Sequence, residues 1–532
     1  MTAQSPPRRW LGLIAVTLGV ALIVVDATIV NVIVPSIVGD LGVSSGEVQW
    51  VQESYAIVLA ALLLLVGRLA DLLGARRVFL AGVVMFGVTS VFAALAPSGG
   101  LLILARFLQG VAAAMILPTS LALVNATFTG RERGRAFAVW GSTIGAAAAV
   151  GPLLGGALAE ISWRWAFGIN IPLVVLIFLG VRTLLAPSPR TSGRIDLPGA
   201  VLSVVGLGLL AFALVEGRTY GWVTTVHPLD VAGLSWDCGP SPVLVSLLVS
   251  AVALLVFVRR QAALGRGGGG TQPLMDVRLF SIGSFRNGNV ATVLIGLGEF
   301  GIMAVLPLWL QFTLGYSALQ AGLALVPLAV GSFVASGASF GMASALSPLA
   351  LVRLGLALEV VGLAGLGLIA TPDSAWWPIS LALLVYGVGV GFASAQVTNV
   401  VLADVPADSA GQGAGIQSAA RELGFALGIA VLTTAFFSVL GTTLHQRLVS
   451  SGMREPLSDQ HTAAVTDSAG AAIAPLAADP RTAAVAEAAQ AAMSQGLSMA
   501  ACLAVGLLVL ALVATAAVRP STATTGPTLT HA

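Results

Sequence analysis

The 532-residue sequence predicts an all-α polytopic membrane protein with 14 transmembrane helices, two six-helix bundles plus two inserted helices. Three observations carry that expectation. Charged residues are 9% of the chain and hydrophobic ones 57%, where a soluble domain has roughly 25% charged residues. Apolar runs of the ~20 residues needed to cross a bilayer recur along the chain. Arginines crowd into every second connection between those runs, as the positive-inside rule requires of cytoplasmic loops.

The runs fall at 11–35, 50–67, 78–97, 100–126, 136–159, 165–186, 197–216, 241–258, 288–313, 319–345, 349–371, 376–402, 410–440 and 496–518. The first follows Arg8 and Arg9, is too long for a signal-peptide core and lacks a clear small-residue cleavage site, so it reads as an uncleaved span. Arg76 and Arg77, then Arg131, Arg133 and Arg135, then Arg190 and Arg194, then Arg259, Arg260, Arg266, Arg278 and Arg286 mark one side. The opposite short loops 36–49, 98–99, 314–318 and 372–375 have no arginine, so both termini are expected in the cytoplasm and the protein in the cell membrane. Trp10, Trp50, Trp163, Trp165, Trp222, Trp376 and Trp377 sit at span ends, as an aromatic belt does. The 62 glycines suit close helix packing.

Composition also excludes. The 25 basic residues, all arginine, nearly balance 23 acids, so no basic face invites nucleic acid. Cys238 and Cys502 make no disulfide framework, and His227, His445, His461 and His531 are scattered, so neither a metal site nor a catalytic cluster is expected. GRGGGG at 265–270 lacks the GK[ST] ending of a phosphate-binding loop, so no cofactor is expected and the protein is not read as an enzyme.

The loop-helix stretch TFTGRERGRAFAVWGSTIGAAAAVGPLLGG before span 5 is echoed by DVPADSAGQGAGIQSAARELGFALGIAV before span 13. Matching positions in two groups of six suggest related halves, a transporter signature that puts the substrate path between them. The expected organisation is an N-terminal bundle over 1–187, inserted helices over 188–260, a glycine-rich cytoplasmic linker over 261–287, and a C-terminal bundle over 288–518. An outer loop at 441–495 reads as a solvated connector with an exposed helix near 481–494, and 519–532 as a cytoplasmic tail.

The hairpin between spans 2 and 3 reads Gly67-Arg-Leu-Ala-Asp71-Leu-Leu-Gly74-Ala-Arg76-Arg77, where glycines allow a tight turn and Asp71 can accept hydrogen bonds or pair with the adjacent arginines. It resembles the GxLaDrxGrk loop of the major facilitator superfamily. Asp26-Ala-Thr-Ile-Val-Asn31-Val-Ile-Val-Pro35, Arg106-Phe-Leu-Gln109-Gly110, Gly151-Pro152-Leu-Leu-Gly155-Gly156 and Trp163-Arg164-Trp165-Ala-Phe-Gly-Ile-Asn170-Ile-Pro172 are similar to motifs of its fourteen-span drug:proton antiporters. Ala147 stands where that family's span-5 motif has its first glycine, and the second-half hairpin Gly341 to Arg353 has no acid, which makes any latch one-sided. The resemblance implies the major facilitator fold and proton-coupled efflux of a hydrophobic, drug-like small molecule by alternating access. Gly151, Pro152, Gly155 and Gly156 would then be a hinge or seal that favours export. Transport of a specific endogenous metabolite or lipid on the same fold is the alternative. The expected partners are the substrate, protons and the lipid bilayer, with no nucleic acid; one chain supplies both halves, so a monomer is expected.

Embedded charges need a reason, because one at mid-bilayer costs about 2.5–3.5 kcal/mol. Asp26 lies about 23 Å from the arginine-rich side and Arg106 about 9 Å from the other, both in the same half of the hydrocarbon. They read either as a static ion pair or as a proton-coupling pair; the resemblance tips the reading to the latter. Glu299, about 16 Å into span 9, is a second candidate for proton coupling or for recognition of a cationic substrate. Glu359 reads as structural, and the adjacent Arg421 and Glu422 must point about 100° apart. Asn31, Gln109, Trp140, Phe300, Trp309 and Tyr386 are candidates for lining a substrate cavity.

Overall fold

The computed structural model describes residues 6–517 except 44, 160, 189, 191–194, 232–233, 238, 267–272, 343–344 and 407–408. The side chains of Asn31, Pro152, Gly156 and Phe300 lie outside the described residues, as do Cys238 and the tail.

The first half is α1 (Pro6–Leu41), α2 (Ser45–Leu73), α3 (Ala75–Ala94), α4 (Gly99–Thr127), α5 (Gly130–Ala159), the one-turn α6 (Trp165–Gly168) and α7 (Asn170–Leu184). Two helices follow, α8 (Leu197–Tyr220) and α9 (Pro242–Arg266), joined by a short antiparallel hairpin of β1 (Leu229–Val231) and β2 (Leu234–Trp236). The second half is α10 (Gly283–Phe312), α11 (Ala318–Ala324), α12 (Val326–Met342), α13 (Pro348–Ile369), α14 (Trp376–Leu402) and α15 (Ala410–Ser450). It closes with α16 (Glu455–Asp467), α17 (Ile473–Ala478) and α18 (Ala483–Ala514).

Among the described residues, 13 helical segments are long and apolar enough to cross a membrane. The fourteenth expected span, α5, is a 30-residue helix whose start carries Arg131, Glu132, Arg133 and Arg135 and whose remainder is Gly/Ala-rich, so length and packing rather than apolarity make it a span. Span 6 is broken at Ile169, and span 10 at Leu325, two residues before Pro327.

Within the first half α1 packs on α5, and α4 on both α2 and α3; within the second α10 packs on α15, and α14 on both α12 and α13. The halves meet where α2 lies along α15 and where α5 lies along α12 and α14. The inserted pair packs on itself and touches both halves, α8 against α2 and α15. Asp196, ahead of α8, accepts hydrogen bonds from Arg260 (2.7 and 2.9 Å) and Gln261 (2.9 Å) on α9, which ties the ends of the pair together.

Two connections differ from their sequence reading. α15 has 41 residues, about 60 Å at 1.5 Å per residue, so it runs well past a hydrocarbon core of about 30 Å. With α16, α17 and the start of α18 it forms a helical cap whose apolar interior continues the main core, where Leu444, Leu448, Val465, Ile473 and Val485 are buried. The 441–495 connector is therefore packed, and the helix expected to be exposed near 481–494 buries Val485, Ala486, Ala489 and Met493. The second part of the 261–287 linker is docked too. Leu274 and Met275 donate main-chain N–H groups to Gln261 Oε1 (2.7 and 3.4 Å), and Asp276 N–H donates to Gln412 Oε1 (2.8 Å).

Candidate functional site

Where α5 meets α10, α12, α14 and α15, the halves enclose a cavity of about 90 Å³ with Glu299, Tyr386, Ser394 and Arg421 on its walls. Glu299 is 3% exposed. Its carboxylate accepts the Ser394 hydroxyl (3.1 Å to Oε1, 3.3 Å to Oε2), and the Tyr386 hydroxyl donates to its main-chain oxygen at 3.0 Å. Arg421 faces the same space, its guanidinium 5.3 Å from the Trp140 ring and 5.4 Å from that of Phe425, and among the described residues its Nη1 has no hydrogen-bond partner. A carboxylate and a guanidinium thus share one small cavity, and among the described residues the only hydrogen bonds on that carboxylate come from a hydroxyl. Its neighbour Glu422 points elsewhere, into a cleft among Ala60 of α2 and Leu207 and Leu214 of α8, as the 100° offset requires.

Asp26 and Arg106 do meet, but away from this cavity. Arg106 Nη1 donates to Asp26 Oδ2 and, at 2.9 Å, to Gln109 Oε1, while Arg106 Nε donates to the Val51 carbonyl at 3.1 Å. Asp26 Oδ1 accepts from Asn170 (2.8 Å) and Gln109 (3.3 Å), and both amides also donate to Ser90 Oγ (3.1 and 3.0 Å). The Tyr55 ring lies 4.4 Å from the Arg106 guanidinium. Residues of α1, α2, α3, α4 and α7 so form a polar knot inside the first half, with Asp26 and Gln109 fully enclosed. Gly151 lies on α1 beside it: a Cβ there would stand 1.8 Å from Thr28 Oγ1, so only glycine lets α5 cross at this depth. Gly155, one turn on, is buried.

Two candidates for the substrate cavity are thereby corrected. Gln109 belongs to the knot, because its amide is the bridge between Asp26, Arg106 and Ser90. Trp309 is fully buried in the second half and donates its indole N–H to Ser494 of α18 at 3.0 Å. Trp140 is buried behind the cavity wall, donates to Ser120 Oγ at 3.0 Å and backs Arg421; Tyr386 is on the wall itself.

The hairpin acid has a different partner from the adjacent arginines. Asp71 accepts the first-turn amides of α15, from Gly411 at 2.6 Å and Gln412 at 2.9 Å, across the two halves. Those amides are the free donors and positive pole of a helix start, which suit a carboxylate. Gly67 makes the approach possible, since a Cβ there would sit 2.7 Å from the Gly411 carbonyl oxygen. Gly74, at φ +91°, turns the chain into α3. Arg76 instead donates to the Arg182 carbonyl and takes Ser188 Oγ on its main-chain N–H at 3.1 Å. Arg77 is exposed. On the same face, Arg133 of α5 donates to Asn399 Oδ1 and to the Ala403 carbonyl beyond α14, both at 3.3 Å. In the second half the corresponding arginine, Arg353, donates to the Thr515 carbonyl at 2.9 Å.

The sequence of residues 16–429 matches the Major Facilitator Superfamily. The chain belongs to that superfamily. Among its relatives, this facilitator is 36% identical over 446 residues to the puromycin resistance protein pur8 of Streptomyces alboniger, covering 81% of this chain and 82% of that one. It is 32% identical over 515 residues, 96% of each chain, to the multidrug efflux pump LfrA of Mycolicibacterium smegmatis. It is 33% identical over 461 residues to the probable actinorhodin transporter of Streptomyces coelicolor, covering 83% and 75%. In fold it is similar to the human organic anion transporter MFSD10 (TM-score 0.61, 15% identity, 96% of this chain and 100% of that one).

Sequence reasoning passed over residues that complete the polar knot of this facilitator. Ser90 and Tyr55 complete the knot without any sequence pattern to announce them. Asn170 stood in the WRWAFGIN motif, and its place in that motif was the available signal. Glu216 of α8 is fully buried, with Glu53 of α2 and Thr219 beside it. Glu359 of α13, read from the sequence as structural, is fully buried, and among the described residues neither of its carboxyl oxygens has a hydrogen-bond partner.

Proposed function

We propose that the protein exports a hydrophobic drug-like molecule, cationic or neutral, in exchange for protons moving inward, with its arginine-rich face in the cytoplasm and a single chain as the working unit. The observation that carries the reading is the Glu299–Arg421 cavity between the halves, where a carboxyl can trade a proton for the charge of a substrate or for the nearby guanidinium. Resistance and efflux names among close relatives support the direction of transport and the class of compound.

At about 90 Å³ the cavity is smaller than the ~300–1,000 Å³ of a drug site. Substrate entry therefore needs the halves to part, and the Asp71–α15 latch with the Arg133 contacts is what holds the arginine-rich face shut. Glu299 is the exchanging acid in this scheme. The Asp26–Arg106 pair couples to it through the helices it ties together, since Gly151 keeps α5 against α1 at the knot and α5 also forms a cavity wall. Energy comes from the proton gradient, with no bound cofactor.

Everted membrane vesicles test this. Proton-driven accumulation of a hydrophobic fluorescent cation is expected in vesicles with the wild-type protein, and its collapse on adding a protonophore. Accumulation that persists without a proton gradient would remove the antiport reading, and substrate movement only in the opposite sense would favour import of a metabolite.

A further inference from the structure

Beside the latch, at the arginine-rich ends of α2, α3 and α7, lies a pocket of about 420 Å³ bordered by Leu73, Gly74, Leu80, Pro187 and Ser188 and by four arginines, Arg76, Arg77, Arg182 and Arg190. Among the described residues no acidic side chain borders it. Among the described residues none of the four arginines is in a salt bridge. The pocket is a built one. Arg76 is fixed by its bonds to the Arg182 carbonyl and Ser188 Oγ, and Gly74 brings the turn against Ser188 and Arg190, where a Cβ would meet the Ser188 carbonyl oxygen at 3.3 Å. Four like charges in one concavity repel each other unless an anion lies among them. Guanidinium forks match phosphate oxygens.

The surroundings select the kind of phosphate. Leu73, at the pocket edge, is 52% exposed. Farther into the bilayer, Val84 and Val88 of α3 continue the row of Leu80 at four-residue steps, and Leu176 and Leu179 of α7 stand exposed beside Arg182. A water-soluble phosphate has no use for that apolar track; two acyl chains do. We propose that the pocket binds the phosphodiester headgroup of an anionic phospholipid, whose chains lie along α3 and α7. Asp71 is three residues from Gly74, so a lipid that braces this turn also braces the latch, and anionic lipid should favour the state with the arginine-rich face closed.

Native mass spectrometry of the full-length protein tests the assignment, with phosphatidylglycerol and phosphatidylcholine offered together. The wild type should retain phosphatidylglycerol in clear preference; equal retention of the two lipids would overturn the proposal without recourse to any variant. Arg182→Gln with Arg190→Gln should weaken phosphatidylglycerol retention about thirtyfold, each arginine contributing roughly a factor of five, while Arg182→Lys with Arg190→Lys should keep most of it. Unchanged retention in the glutamine variant would place the lipid elsewhere. Inorganic phosphate in millimolar excess should leave the bound lipid in place; full displacement by phosphate would show a site for free anions and end the lipid reading.

Discussion

Asp26 and Glu299 stand on the first helix of their respective halves, yet their surroundings are opposite. Asp26 accepts from a guanidinium and two amides, all enclosed, and its partner Arg106 is held in turn by Gln109 and the Val51 carbonyl. Glu299 has one hydroxyl on its carboxylate and looks across a cavity at Arg421, whose Nη1 is unsatisfied. Removing a partner from a buried, fully bonded pair leaves a stranded charge. Removing a group from a partly bonded cavity chiefly removes what the cavity can do. The contrast separates what holds this transporter together from what it works with.

The largest expected effect is on transport. Glu299→Gln keeps the size and the Ser394 contact but removes the exchangeable proton, so proton-driven accumulation in everted vesicles should fall to background with normal yield of folded protein. Transport at wild-type rate would break the comparison. Arg421→Ala should likewise lose transport but retain the fold.

Arg106→Ala should do the reverse. It strands Asp26 inside the first half, a loss of about 3–5 kcal/mol for a broken buried pair. The yield of monodisperse protein in detergent should drop steeply, and Asp26→Asn added to it should recover part of the loss. If Arg106→Ala folds as well as Arg421→Ala, the knot is no more structural than the cavity.

Asp71→Asn should have an intermediate effect, because the latch is exchanged for water in every cycle. It loses the charge and one of two bonds to the start of α15, worth about 1.5–3 kcal/mol for a charged acceptor. A cysteine placed in the first turn of α15 should react with a water-soluble thiol reagent faster, by about tenfold or more. An unchanged rate would mean that the Arg133 contacts alone keep that face shut.

The sequence reveals depth better than direction. Apolar runs located the long helices other than the Gly/Ala-rich α5, and charge scarcity picked out Asp26, Arg106 and Glu299, because hydrophobic thickness is written in residue count. Which way a side chain points depends on the partner helix, so Gln109 and Trp309 were expected at a cavity from which their true neighbours, Asp26 and Ser494, draw them away. The pairing of Asp71 with α15 joins residues 340 apart, and nothing local distinguishes it from a pairing with the adjacent Arg76. The cap from α15 to α18 was missed for a related reason. Its alanine-rich helices bury small side chains against one another around scattered larger ones such as Val465, Ile473 and Met493, and that composition reads as solvated until the helices are assembled.

The smallest effect separates buried from exposed ion pairs within the same half. At the end of α1 opposite the arginine-rich face, Asp40 accepts from Arg164 and from the Trp163 indole at 3.0 Å, with its side chain 47% exposed. The Arg164 hydrogen bond, then that of Trp163, hold the Asp40 carboxyl below its usual 3.8. A lowered folded value means that the contribution to stability is complete above 3.8 and disappears as pH falls through the lowered value. Exposed pairs are worth little, so Asp40→Asn should lower the melting temperature of the detergent-solubilised protein only slightly at neutral pH, and the difference from wild type should close once the pH is well below 3.8. A difference that stayed constant over that range would mean that the charge of Asp40 contributes nothing. The Trp163 bond, which asparagine can still accept, would then be the whole of that anchor, and the contrast with Asp26 would rest on burial alone.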